Sequence, residues 1–94
     1  MEVKLLPYAI EIGKKLRKRI KKAGSKNPDF KNALNNKIAQ ILENPQRFKP
    51  LGWPLQNKHR VHILKSFVLV YEVIENEKIV RILDIDHHDN VYKT

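Results

Sequence analysis

Ninety-four residues can bury one core of modest size, and the complete lack of cysteine excludes disulfide and thiolate chemistry. The formal net charge of +9 lies wholly in the first half: residues 1–50 hold 13 Lys and Arg against 4 Asp and Glu, whereas residues 51–94 hold 6 against 6. No apolar run approaches the roughly 20 residues that span a bilayer and no signal-peptide pattern opens the chain, so the expectation is a soluble, cytoplasmic, single domain over 1–94 with no membrane partner.

Glu2-Val3-Lys4-Leu5-Leu6 alternates loosely and stops at Pro7, which predicts a short first strand at a sheet edge, with Pro7 free to open the helix that follows. From Ala9, apolar residues recur at Ile12, Leu16, Ile20 and Ala23, while Lys14, Lys15, Arg17, Lys18, Arg19, Lys21 and Lys22 fill the rest of the wheel. That spacing predicts an amphipathic helix ended by Gly24-Ser25. Its cations suit a polyanion or an acidic protein partner, and charge alone is equally compatible with a solvated helix face. Asn27, Pro28 and Asp29 then read as N-cap, first turn and dipole-compensating anion of a second helix. Phe30, Leu34, Ile38, Ile41 and Leu42 form its buried stripe, and Asn44-Pro45 ends it. The segment from Gln46 to Asn57 reads as an irregular connection carrying Phe48 and Trp53.

Arg60 to Leu64 alternates as a strand with one wet face, and Lys65-Ser66 turns it into Phe67 to Val73, whose β-branched and aromatic composition suits a buried strand. Glu75-Asn76-Glu77 separates that run from Ile79 to Leu83, predicting a hairpin whose turn uses the left-handed tolerance of Asn76. The expected class is α+β: β-α-α-β-β-β, a helical hairpin covering a mainly antiparallel sheet of about four strands, with a short polar tail.

The stretch Asp84-Ile85-Asp86-His87-His88-Asp89 gathers carboxylates and imidazoles, but an extended chain sends alternate side chains to opposite sides and no known ligand spacing appears, so no metal site is assigned. His59, between Lys58 and Arg60, reads as a surface residue in a turn. Arg81 is placed to pair with Glu72 or Asp84 across the sheet. Tyr71 and Trp53 read as packing residues.

The element order, together with Lys49-Pro50-Leu51, Arg60-Val61-His62-Ile63 leading into Phe67-Val68-Leu69-Val70-Tyr71, and His87-His88-Asp89-Asn90-Val91-Tyr92, resembles the RelE/ParE superfamily of toxins, and within it the ribosome-dependent mRNA interferases of the YafQ type. The resemblance spans nearly the whole chain. It implies a metal-free endoribonuclease without cofactor, in which a base takes the ribose 2′-OH proton, an acid protonates the leaving 5′-oxygen and cations stabilise the phosphorane. Histidine can serve as either proton carrier near neutrality. The implied catalytic set is His62, His88 or its neighbour His87, Lys49, Arg81 and Tyr92; Lys14, Lys15, Lys18, Lys22, Arg60 and Phe67 would contact RNA. Lysine at 49, serine at 66 and phenylalanine at 67 depart from the histidine, aspartate and tryptophan of the YafQ type. The implied partners are an antitoxin protein, the ribosome and mRNA. A gyrase-inhibiting ParE-like or inactive member, and a non-enzymatic RNA-binding module, are the competing readings.

Overall fold

The computed structural model describes residues 7–48, 50 and 57–87. In chain order these form β1 (Ala9–Ile12), α1 (Lys14–Lys26), α2 (Pro28–Glu43), a 3-10 turn (Pro45–Arg47), β2 (Lys58–Ile63), β3 (Phe67–Ile74) and β4 (Ile79–His87). The strands make one sheet in the order β1-β4-β3-β2, with β1 parallel to β4 and the other two pairs antiparallel. The expected α+β arrangement is therefore observed.

The amino-terminal boundary differs. Residues 2–6 lie outside the described residues, and Ala9–Ile12, expected to begin the helix, is an edge strand in register with Ile79–Ile82. Ile12 continues the helical spacing of Leu16 and Ile20, but Ile10 and Ile12 also satisfy a period of two, and pairing with β4 decides the matter. Helix α1 starts only after Gly13, which makes no side-chain cap bond.

The helix hairpin also turns later than expected. Gly24 and Ser25 stay helical, and Asn27 serves both helices: its N–H donates to Ala23 O at 3.0 Å and its Oδ1 accepts from Phe30 N at 3.1 Å. Gly24 is buried where an added Cβ would stand 3.4 Å from the Lys31 Cβ, so it serves close helix approach, not termination. In α2 the expected stripe holds: Phe30, Leu34, Ile41 and Leu42 are buried and Ile38 is half-buried at its border.

These side chains meet Val61, Ile63, Leu69, Tyr71, Val73, Val80, Ile82 and Ile85 from the sheet in one core. Each large aliphatic side chain fully buried there contributes roughly 1.5–3 kcal/mol. A register shift beside Val70 and Tyr71 moves the partner on β4 from Asp84 to Ile82, skipping Leu83. Ile82 and Ile85, three apart, can thus both face the helices while Leu83 is 38% exposed. The left-handed residues in the turns are Leu64 (φ 56°) and Lys78 (φ 55°), not Asn76.

Candidate functional site: a charged sheet face and a cationic helix

The face of the sheet turned away from α1 and α2 is organised in rows by the strand register. The first row runs across all four strands as Lys58, Glu72, Arg81 and Glu11, alternating in sign. Lys58 Nζ lies 3.1 Å from Glu72 Oε2, Arg81 reaches Glu72 at 3.4 Å, and Arg81 Nε donates to Glu11 Oε1 at 2.7 Å. Glu11 chiefly, by hydrogen bond and charge, raises the Arg81 pKa still further. The next rows are Arg60–Val70–Asp84 and His62–Val68–Asp86.

Arg60 and His62 therefore point the same way from one strand, about 7 Å apart along it, beside an apolar floor of Val68 and Val70. His62 is exposed and Arg60 partly so. Such a pair can offer a fixed cation and a proton carrier to one phosphodiester. Arg81, two rows away at about 13 Å along the strands, is engaged by Glu11 and Glu72 and is not brought to His62.

His87 is not brought to His62 either. It pairs with Phe67, on the helix side of the sheet, with ring centroids 4.6 Å apart, and β3 separates β2 from β4. Phe67 in turn packs on Phe30 at 4.6 Å. The expected stacking platform is thus a half-buried packing residue on the other side from His62. Lys49, His88 and Tyr92 lie outside the described residues, as does Trp53.

His59 is the residue that sequence reasoning misplaced. It is 1% exposed, its Nδ1 is 2.9 Å from Phe48 O, and its ring is stacked on Tyr71 at 5.1 Å. Strand β2 begins at Lys58, so alternation sends residue 59 inward; the neighbouring lysine and arginine, which suggested a turn, occupy the opposite face. The alternation of Val61 and Ile63, extended back by two residues, is the signal that could have found it. Burial raises the pKa of the Tyr71 hydroxyl, which donates to Pro45 O at 2.7 Å.

On the other side of the molecule α1 presents Lys14, Lys15, Arg17, Lys18, Arg19, Lys21, Lys22 and Lys26, all exposed, with no acidic residue in the helix. Arg19 is tied to the sheet: it donates to Ile85 O at 2.9 Å and sits 3.4 Å from both Asp84 and Asp86. It caps the edge of β4 beyond Ile82, where the register with β1 ends. Between α1 and the end of β4 lies an open groove of about 320 Å³ with an apolar floor of Ile20, Ala23, Phe30, Phe67 and Ile85 and with Lys22 and Lys26 on its rim. Among the described residues no cluster of three or more His, Asp or Glu is arranged to hold a metal, and no helix is long and apolar enough to cross a membrane.

Comparison with known proteins identifies this arrangement. A protein of Methanocaldococcus jannaschii that bears the name toxin RelE4 is 45% identical over 86 residues, covering 92% of each chain. The toxin in the Escherichia coli RelBE toxin-antitoxin complex superposes with a TM-score of 0.68 at 25% identity, over 83% of this chain and 93% of that one. YafQ of E. coli gives 0.67 at 16% identity over 90% and 98%, a likeness of fold. The model of the ParE toxin of type II toxin-antitoxin systems matches residues 3–92, and the chain belongs to that family, as a toxin with the RelE-like fold.

Proposed function

We propose that this toxin is a ribosome-dependent mRNA endoribonuclease, and the observation that carries the reading is the placement of Arg60 and His62 side by side on the sheet face turned away from the helices. In this reaction the His62 imidazole removes the 2′-OH proton, the 2′-oxygen attacks the adjacent phosphorus, and the P–O5′ bond breaks to leave a 2′,3′-cyclic phosphate. His88 returns a proton to the 5′-oxygen. Arg60 and Lys49 balance the charge that builds on the phosphorane, and Tyr92 stacks on a neighbouring base. No metal or cofactor takes part. Arg81, locked between two carboxylates, acts by holding the first row of the sheet.

The cations of α1 would contact ribosomal RNA. The groove beside them suits an acidic, amphipathic antitoxin segment, whose apolar side chains would enter between Ile20 and Phe67 while its carboxylates meet Lys22 and Lys26. A second reading, gyrase inhibition by a ParE-like toxin, needs no proton carrier and is compatible with the match to the ParE toxin model.

Primer extension on mRNA from a reconstituted translation reaction separates the two. Wild type should cut only in the presence of ribosomes, and His62→Ala or His88→Ala should slow cutting by about 10²–10⁴-fold, the usual share of one acid or base. Intact mRNA with folded wild-type protein would transfer the assignment to gyrase, tested next by supercoiling.

A further inference from the structure

Strand β1 is too short to cover its neighbour. It pairs with Ile79–Ile82 and ends there, while β4 runs on to His87, so Leu83–His87 has no strand on that side among the described residues. A bare strand edge offers a row of main-chain donors and acceptors on which another chain can pair. This edge has apolar surroundings as well: Leu83 is exposed on it, and the groove floored by Ile20, Ala23, Phe30, Phe67 and Ile85 opens beside it.

Side chains occupy the outward main-chain groups of this edge. Arg19 reaches across from α1 and donates to Ile85 O at 2.9 Å. The Ile85 N–H donates to Asp84 Oδ1 at 2.8 Å, and the His87 N–H donates to Asp86 Oδ1 at 2.7 Å. Arg19 then bridges both carboxylates at 3.4 Å. Ile85 and His87 are two residues apart and turn their main-chain groups the same way, so these bonds close one side of β4. Stability does not account for the cluster. Its side chains are 32–53% exposed, and ion pairs so exposed contribute little to folding. What the three side chains do is fill the lane, about 4.8 Å from β4, in which a further strand would lie.

We propose that Arg19, Asp84 and Asp86 guard the open edge of β4, and that the chain they exclude is a second copy of this protein. Two such edges are self-complementary about a two-fold axis. Without the guard, Ile85 of each copy would stand opposite the other, the two exchanging the N–H···O bonds that Asp84 and Arg19 now satisfy. The guard keeps the toxin a monomer, with α1 and the far face of the sheet open to other partners. It operates whether or not the protein cuts RNA.

The test combines Arg19→Met, which keeps an aliphatic stem, with Asp84→Ala and Asp86→Ala. One cation and two carboxylates are removed, so the formal net charge rises from +9 to +10 and any association occurs against greater repulsion. Arg17→Met, the same change at an exposed position on the opposite side of α1, is the control. Wild type and control should sediment as monomers at concentrations on the order of 100 µM. The triple variant should approach the mass of a dimer, with a dissociation constant at least tenfold below any measured for either. Its amide exchange at Ile85 and His87, followed by NMR, should be faster than in wild type when dilute and should slow at least tenfold as concentration rises, with no such change in β2. A monomeric triple variant would overturn the proposal, as would a dimer that leaves Leu83–His87 unprotected or a wild type that already dimerises through this edge. Should the triple variant unfold, seen as lost protection in β3, Arg19→Met alone is compared with Arg17→Met in the same way, and equal sedimentation of those two is then the adverse result.

Discussion

Helix α1 and the far face of the sheet are both rich in charge, yet they treat it in opposite ways. On the sheet, each carboxylate of the row Lys58–Glu72–Arg81–Glu11 stands between or beside cations, so the charges cancel within the fold. On α1 the cations face one another: Lys14–Lys18–Lys22–Lys26 run at intervals of four, as do Lys15–Arg19 and Arg17–Lys21. Such like-charged pairs each cost a helix roughly 0.2–0.5 kcal/mol, and Lys14 and Lys15 occupy the end where the dipole disfavours cations. A solvated face needs only mixed charge. A helix that accepts this repulsion has been shaped by something outside the fold, and the sheet by the fold itself.

The sharpest break between charge and core is expected at Ile41, 1% exposed among sheet side chains. Ile41→Asp should abolish the cooperative thermal transition, since an ionised carboxylate there has no partner and cannot reach water. Truncation of Leu69 on the sheet side, Leu69→Ala, should cost about 2–5 kcal/mol in denaturant unfolding. Ile38→Asp, at the half-buried border of the same stripe, should be milder. If Ile38→Asp proved the more damaging, the helix would face the sheet differently from the packing described.

The opposite outcome is expected for α1. Reversing Lys14, Lys18 and Lys22 to Glu should weaken binding to ribosomal RNA on the order of 100-fold at low salt and flatten the logarithmic salt dependence by about three units. The same variant should melt higher than wild type, because acids then occupy the amino-terminal turn and alternate with Arg17, Arg19 and Lys21. Equal RNA affinity would leave these cations as mere solvated decoration.

This contrast explains what the sequence could and could not say. The helix hairpin, its Asn27 cap, the buried run of β3 and the antiparallel succession of the last three strands follow from periodicities longer than six residues or from caps with one chemical reading; the parallel pairing of Ala9–Ile12 with β4 does not. The inward face of His59 did not, because Lys58, His59 and Arg60 look alike as a polar cluster until strand register separates them. Ile85 as a core residue depends on the skipped Leu83, a backbone event with no residue signature. Of the candidate site, Arg60 and His62 were legible as one wet strand face. That His87 and Phe67 lie on the other side, and that Arg81 is engaged by Glu11 from a strand 70 residues away, required the register.

Within the sheet row, Glu72 is the pivot. It is 17% exposed and meets Lys58, Arg81 and the Asn57 amide, which donates to Oε2 at 3.2 Å. Glu72→Gln leaves two cations facing each other across β3 and should cost about 1–2 kcal/mol, more than an exposed pair would. Removing Lys58 together with Glu72 should recover part of that loss in a double-mutant cycle. Comparable neutralisation on α1 should cost nothing, and that asymmetry is the comparison in its most economical form.

The smallest effect should appear where the edge strand is tied down. Tyr8, just before β1, donates to Glu75 in the β3–β4 turn at 2.7 and 2.9 Å, and Lys78 adds an ion pair at 3.1 Å. The hydrogen bond from Tyr8, followed by that from Lys78, pulls the Glu75 carboxyl below its usual value, and the same bond raises the Tyr8 phenol above 10.0. The two shifts act at opposite ends of the pH scale. Glu75, lower in the folded chain than in the unfolded one, stabilises above its ordinary carboxylate pKa and loses that contribution as pH falls through the folded value. Tyr8, higher in the folded chain, stabilises below its ordinary phenol pKa and loses it as pH rises through the folded value. Both groups are exposed, so the change in melting temperature at either end should be slight. Tyr8→Phe should remove the alkaline dependence and reduce the acid one, which Lys78 and Gln46 still support, while Lys78→Ala should leave most of the acid one. If Tyr8→Phe flattened only the alkaline limb, Lys78 would be the group that holds Glu75, and the parallel edge strand would owe its attachment to backbone pairing with β4 and to the Glu11–Arg81 pair.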